Sequence, residues 1–258
     1  MGRIHFYKYQ ATGNDFVVID NRNAALSLTA DQVTMICDRR LGVGADGLML
    51  IEQHPTLNFN LAYYNSDGTQ SLCGNGSRAA VQFASRLGMV NGKSTFNAFD
   101  GEHSAEILDS GIIRLKMNTV KNVQQSGDDY FINTGSPHVI KFFADIYDYP
   151  VLEEGRKIRY SESYKPGGTN VNFVALQNNN TIFVRTYERG VEDETRSCGT
   201  GVTAAALAAS YKGYNSPIAI KTLGGNLSVE FKSGQYGIFE EIFLVGPAKM
   251  VFEGDLEL

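Results

Sequence analysis

Cys73-Gly74-Asn75-Gly76-Ser77-Arg78-Ala79-Ala80 and Cys198-Gly199-Thr200-Gly201-Val202-Thr203-Ala204-Ala205 are the two stretches that decide how this chain folds. Cys, Gly, Gly, Ala and Ala coincide in the same register. The second copy starts 125 residues after the first, close to half of the 258-residue chain. A duplication on that scale predicts two pseudosymmetric lobes, each presenting one thiol. Two thiols on opposite sides of one carbon suit a reaction that removes a proton from one face and returns it to the other.

Working outward, each cysteine immediately precedes Gly-x-Gly at the start of a helix. The first helix is expected from about Gly76 to Leu87, stopped by Gly88, and the second from about Gly201 to Tyr211, stopped by Gly213. Ala79, Ala80, Val81, Phe83, Ala84 and Leu87 leave the first little polar face, and Thr203 to Ala209 is apolar nearly all round. Such helices are buried on every side. Most of the remaining chain reads as strand: Arg3 to Gln10, Asp15 to Ile19, Leu48 to Ile51, Phe59 to Tyr64, Ile107 to Met117, Tyr130 to Asn133, Val139 to Phe143, Val171 to Leu176, Thr181 to Tyr187, Ile218 to Thr222, Leu227 to Phe231 and Ile238 to Leu244. A third helix opens at Thr29, with Gln32 completing a capping box and Val33, Ile36, Cys37 and Leu41 as its apolar face. The fold class is α+β: two lobes, each a curled, mostly antiparallel, barrel-like sheet around a central buried helix. Residues 1–122 form the lobe carrying Cys73, with the tail from about residue 250 free to return to it. Residues 123–249 form the lobe carrying Cys198, and the polar stretch Val120 to Asp129 is the seam. Asp15-Phe16-Val17 and Asn172-Phe173-Val174 read as a second, fainter trace of the duplication.

A net charge of −5 offers no basic stripe, which excludes nucleic acid as a partner. No run of about 18 apolar residues spans a membrane, and the N-terminal stretch lacks the apolar core of a signal peptide. Three cysteines do not make a disulfide framework, so a reducing, cytoplasmic location is expected. No C-x-x-C or H-x-x-x-H spacing supports zinc, so no metal is expected. Gly44-Ala45-Asp46-Gly47 lacks the Gly-Lys-Ser/Thr ending of a phosphate loop and reads as a helix-to-strand turn.

The chemistry falls on the thiols. Free N–H groups and the dipole at a helix start stabilise a thiolate. The same groups hold a carboxylate, and the glycines let it approach the backbone. A lone cysteine is more often a small buried hydrophobe. The matched pair with matched glycines reverses that balance for Cys73 and Cys198, whereas Cys37, without glycines, keeps it. Asn65 reads as a turn residue and Glu188-Arg189 as a surface charge pair at a strand end. His138, after the Gly135-Ser136-Pro137 turn, is a candidate base for a thiol.

These residues together resemble the diaminopimelate epimerase family. The matching pieces are Gly13-Asn14-Asp15-Phe16-Val17-Val18, Gly42-Val43-Gly44-Ala45-Asp46-Gly47, Asn65-Ser66-Asp67-Gly68, Cys73-Gly74-Asn75-Gly76, Ser136-Pro137-His138, Asn170-Val171-Asn172-Phe173, Tyr187-Glu188-Arg189-Gly190 and Cys198-Gly199-Thr200-Gly201, with Gly246-Pro247 near the end. The resemblance implies two lobes, no cofactor, a homodimer, and epimerisation of L,L-2,6-diaminopimelate to the meso form in lysine and peptidoglycan precursor synthesis. It implies Cys73 as proton donor and Cys198 as acceptor in that direction. Substrate contacts fall on Asn14, Gly47, Asn65, Gly74, Asn75, Ser136, Asn170, Glu188, Arg189, Gly199 and Thr200, with Arg189 on the distal carboxylate and His138 and Glu188 assisting thiol protonation. The chain departs from the family pattern at Ser136, where Asn is commoner, and at Gly47, where some members carry Gln. It is also one residue short between Asn65 and Cys73 and one long between Glu188 and Cys198. The rival expectations are a proline racemase or hydroxyproline epimerase, which also pairs two cysteines, and a non-catalytic small-molecule-binding relative. The set of Asn65, Asn170, Glu188 and Arg189 favours a substrate with a second polar head, which proline lacks.

Overall fold

A computed structural model describes residues 2–257. The chain divides into two compact units, Met1–Leu115 with Gly246–Leu258, and Lys116–Val245. The division therefore falls before the polar Val120 to Asp129 stretch.

The first unit opens with β1 (Arg3–Ala11) and β2 (Asn14–Asp20), an antiparallel pair. Their tight turn puts Thr12 and Gly13 at positive φ, 49° and 83°. From there α1 (Ala30–Cys37) leads to β3 (Gly47–Glu52), parallel to β2, and β4 (Phe59–Asn65) pairs antiparallel to β3. Next α2 (Gly74–Arg86) leads to β5 (Lys93–Ala98), parallel to β4, and β6 (Gly101–Ile107) and β7 (Ile113–Lys116) follow as an antiparallel meander.

The second unit repeats that order. β8 (Val123–Ser126) pairs with β9 (Asp129–Asn133), and β9 pairs antiparallel to β10 (Pro137–Phe143). Then α3 (Val151–Arg159) leads to β11 (Asn170–Gln177), parallel to β10, and β12 (Thr181–Glu188) runs antiparallel to β11. After a short β13 (Asp193–Thr195), α4 (Gly199–Ser210) leads to β14 (Ile218–Thr222), parallel to β12, and β15 (Gly225–Ser233) and β16 (Phe239–Gly246) complete the meander. The last strand, β17 (Lys249–Glu257), pairs with β1 in the first unit, as β8 pairs with β9 in the second.

Each sheet is sandwiched between an outer and a central helix. Val17, Ile19, Leu48 and Leu50 pack with Val33, Ile36 and Cys37 of α1. By strand alternation the opposite face, with Phe16, Val18, Met49 and Ile51, turns to α2. The sheet curls far enough for α2 to touch β1 through β4 and also β6, and α4 touches β9 through β12, β14 and β15. Every residue of α4 up to Ala209 except Thr200 is buried, which is why its sequence can be apolar all round.

The structure corrects several local expectations. The Thr29–Gln32 capping box is present, but α1 ends at Cys37, and Leu41 is 86% exposed rather than on its apolar face. Both central helices begin earlier than expected, at Gly74 and Gly199, so the cysteines are themselves the N-caps. Ile107 to Met117 is not one strand: Gly111 at φ 78° turns the chain between β6 and β7. The Asp15/Asn172 echo is accidental, because Asp15 lies on β2, whose topological counterpart is β10, while Asn172 lies on β11.

Candidate functional site

In the first unit, the register places Gly47 opposite both Phe16 and Asn65. Asn14, Gly47 and Asn65 therefore sit at one end of the sheet, and the start of α2 meets them there. Cys73 Sγ lies 3.5 Å from Asn14 Oδ1 and accepts from Gly76 N–H at 3.3 Å. Asn14 is held from both sides: Asn75 Nδ2 donates to its Oδ1 at 3.4 Å, and its Nδ2 donates to Asp46 Oδ2 at 2.6 Å. Asp46 and Asp15 share Arg39, at 2.7 and 2.6 Å, and Asp15 also pairs with Lys8 at 2.7 Å. Burial pushes the Asp15 carboxyl up, but the bonds from Arg39 and Lys8 outweigh it and hold it at about 2. Asn65 is tied into its own turn, donating to Thr69 Oγ1 at 2.9 Å and accepting from Ser71 Oγ at 3.0 Å. Gly47 has no room for a side chain, because a Cβ there would lie 2.7 Å from both Tyr63 Oη and Tyr64 O. A Gln at this position would not fit this backbone.

The second unit places the counterparts at the same end of its sheet. His138 is opposite Asn170, and Val171 is opposite Tyr187, one residue before Glu188. Position by position, Ser136 answers to Asn14, Asn170 to Gly47, Glu188 to Asn65, Cys198 to Cys73 and Thr200 to Asn75. Asn170 ties strand ends together, donating to Pro137 O at 2.9 Å and accepting from Arg189 N–H at 2.8 Å. That bond positions the exposed Arg189, whose guanidinium donates to Gly167 O at 3.2 Å.

His138 is wholly buried, and burial first, then Arg189, pushes its pKa down to about 3. Asn172 Nδ2 donates to Val139 O and to His138 Nδ1, both at 3.1 Å, while Asn172 Oδ1 accepts from Thr186 Oγ1 at 2.9 Å. Nδ1 is thus an acceptor and the ring hydrogen sits on Nε2. Nε2 lies 2.9 Å from both Ser136 Oγ and Thr200 Oγ1, and Thr200 Oγ1 lies 3.5 Å from Cys198 Sγ. A neutral imidazole that donates to Thr200 leaves the Thr200 hydroxyl hydrogen for the sulfur. His138 is therefore placed to orient the Thr200 hydroxyl toward Cys198 Sγ.

That environment predicts a pH dependence of stability. The unfolded imidazole takes a proton below its ordinary pKa near 6.5, whereas the folded one takes it only near 3. Stability is present above about pH 6.5 and falls by about 1.4 kcal/mol per pH unit as pH drops toward 3. Chemical denaturation of the unmodified chain and of His138→Gln at several pH values should show a shallower slope in the variant; equal slopes would mean that His138 is not buried neutral.

Cys37 sits apart on α1, its thiol pushed up to about 11 by burial. Among the described residues no cluster of His, Cys, Asp and Glu could hold a metal ion, and no helix is long and apolar enough to cross a membrane. Asp46, Asn172, Thr186 and Arg78 escaped the reading of the sequence. Only Arg78 carried a usable signal, as a charged residue inside a helix otherwise fit for burial.

The diaminopimelate epimerase family model matches residues 6–123 and 130–251 of this chain. The chain belongs to that family. It is 48% identical over 257 residues to the diaminopimelate epimerase of Flavobacterium psychrophilum, covering 96% of this chain and 98% of the relative. To that of Chlorobaculum tepidum it is 41% identical, covering 95% and 98%. Like other diaminopimelate epimerase family members it is an isomerase of the racemase and epimerase type. Among solved structures, a phenazine biosynthesis protein of the PhzF family from Bacillus anthracis superposes with a TM-score of 0.76 at 12% identity, covering all of both chains. A hydroxyproline epimerase from Agrobacterium vitis superposes at 0.70 and 13% identity, covering 99% of this chain and 93% of that one. At those identities the likeness is one of fold.

Proposed function

We propose that this protein interconverts L,L-2,6-diaminopimelate and meso-diaminopimelate with two thiols and no cofactor, Cys198 taking the α-proton and Cys73 returning one from the opposite face in the L,L-to-meso direction. The observation that carries the proposal is the duplicated half-site: each unit offers a cysteine as the N-cap of a buried helix, beside glycines and a polar residue one position into that helix. Family membership supports the substrate.

The α-proton of an amino acid is a very weak acid, so charge that builds on the carboxylate must be stabilised as the proton leaves. The first N–H groups of a helix have no partner within it. Those around Gly74-Asn75 and Gly199-Thr200 are the donors for that carboxylate, already oriented before the reaction begins. Arg189 takes the distal carboxylate, and Asn14, Asn65, Asn170 and Glu188 complete the polar contacts. Ser136 acts through His138 and Thr200, whose atoms it bonds. Gly47 contributes backbone alone. The proposal includes a homodimer working in the cytoplasm, for which sedimentation and cell fractionation are the tests.

The substrate assignment is tested by solvent deuterium exchange into L,L-diaminopimelate, L-lysine and L-proline. Lysine lacks the distal carboxylate, so Arg189 loses a charge-assisted partner, and kcat/KM should fall by about 10- to 100-fold or more. Exchange into lysine or proline as fast as into diaminopimelate would point to the proline racemase class or to a broader enzyme. No exchange into any amino acid would leave a binding protein.

A further inference from the structure

Arg78 is the largest fully buried side chain among the described residues, with 0% exposure. It lies one turn into α2 and folds back toward the helix start, as long helical side chains do. Its Nη2 donates to Asn75 Oδ1 at 2.9 Å and to Thr12 Oγ1 at 3.1 Å, its Nη1 to Gly74 O at 3.5 Å, and its Nε meets no acceptor. Every partner is neutral. A buried cation without an anion is costly. The only other buried Lys or Arg among the described residues, Lys8, has Asp15 beside it. Two of the three residues Arg78 bonds, Gly74 and Asn75, directly follow Cys73.

The other unit supplies the contrast. Thr203 stands at the corresponding position of α4 and donates to Gly199 O at 2.8 Å, and no Lys or Arg is buried among the described residues of that unit. Both cysteines share the N-cap position and the glycines after it. The first unit thus differs from the second in two ways: Cys73 Sγ accepts from Gly76 N–H where Cys198 makes no side-chain cap bond, and a buried positive charge lies one turn into its helix.

We propose that Arg78 is the resident counter-charge of Cys73, lowering the cost of its thiolate so that Cys73 ionises more readily than Cys198. This rests on the reading of Cys73 as a proton-transferring thiol. Burial pushes the guanidinium down to about 10 and a Cys73 anion pushes it back up, so Arg78 stays charged at neutral pH. The groups facing α2 from its neighbours do not offset it. β1 turns Tyr7 and Tyr9 onto Phe83 of α2, and β4 brings Tyr63 against Gly76. β2 and β3 present Phe16, Val18, Met49 and Ile51, and β6 carries His103, which pairs with Asp100 at 2.7 Å. Asp15 and Asp46 balance Lys8 and Arg39 on the α1 side of the sheet. Within α2, Arg86 lies at the far end. A Cys73 thiolate beside a neutral Cys198 thiol is the starting state for the meso-to-L,L direction, and the L,L-to-meso direction starts from its proton-exchanged form.

The test is the pH dependence of iodoacetamide alkylation at each cysteine, read by peptide mass mapping on the full-length chain. In the unmodified protein Cys73 should reach half its maximal rate at least 1 pH unit below Cys198 (an opposite charge within about 4–6 Å is worth about 1–3 units), with Cys37 slowest. Arg78→Gln should raise the Cys73 midpoint by about 1 unit or more, roughly a tenfold loss of rate at neutral pH, and leave Cys198 in place. Arg78→Lys, which keeps the charge, should restore most of the shift. A purely packing role would move both thiols together or neither. Should Arg78→Gln fail to fold, the comparison within the unmodified chain decides: equal midpoints, or Cys73 above Cys198, overturn the proposal. Turnover plays no part in this readout. A failed deuterium exchange with the Cys73 shift present would defeat the proposed function and leave the electrostatic inference standing.

Discussion

Cys198→Ala should lose proton abstraction from L,L-diaminopimelate by at least about 10²–10⁴-fold, the contribution of a positioned base. Cys73→Ala should lose epimerisation by a similar factor for a different reason: Cys198 still removes the proton, but nothing returns one on the opposite face. Solvent isotope separates the cases. With both thiols present in D2O, product formed early carries deuterium at the inverted centre while unreacted substrate stays largely protiated, because the donor thiol starts with a solvent hydrogen. A single group that took and returned the proton would leave much of the substrate's own hydrogen in the product. NMR of early product and residual substrate reads both outcomes. Near-normal epimerisation by either single variant would reduce the duplicated Cys-Gly motif to a structural feature.

Gly201→Ala should be nearly as damaging, and far worse than the same change at Gly76. A Cβ at Gly201 would fall 2.4 Å from Asn172 Oδ1 and 3.3 Å from Cys198 Cβ. Asn172 cannot retreat freely, because it holds Val139 O, His138 Nδ1 and Thr186 Oγ1 at once. The strain should cost about 1–3 kcal/mol in stability and should pull His138 and Thr200 away from Cys198. At Gly76 the nearest atoms are 3.2 Å away on the Tyr63 ring, a neighbour able to shift. Denaturant midpoints together with deuterium exchange rates check the contrast. If Gly201→Ala is as stable and active as Gly76→Ala, the close approach of α4 to Asn172 is not what sets this half-site.

Much of this was legible in the chain because it rests on local rules. The Cys-Gly-x-Gly copies announced two helix starts, their all-apolar continuation announced burial, and Thr29 with Gln32 announced a cap that is present. What escaped was decided by distant neighbours. α3 went unread although Leu152, Glu153, Glu154, Arg156, Lys157 and Arg159 are good helix formers, because Gly155 interrupts them. The glycine is there because the helix packs onto β12 so closely that a Cβ on Gly155 would lie 2.3 Å from Tyr187. β17 carries Met250, Val251 and Phe252 in a row and then only Leu256, with no strand-like alternation, and it is a strand because β1 needs a partner on its open edge. Leu41 matched a helical period that the chain leaves before reaching it.

The site divides along the same line. By itself the sequence determined which residues are duplicated, hence the thiol pair, the glycines beside them and the polar residues at the strand ends, because each depends on residue type and spacing. Burial and register belong to the tertiary structure alone. Only the fold could make His138 a neutral donor by removing it from water between Asn172 and Thr200, and only the fold could enclose Arg78 against the neutral groups of Thr12, Gly74 and Asn75. Charge and proton affinity depend on what surrounds a group, and for both residues part of the surroundings comes from elements far away in the sequence, Thr12 for Arg78 and Asn172 and Thr200 for His138.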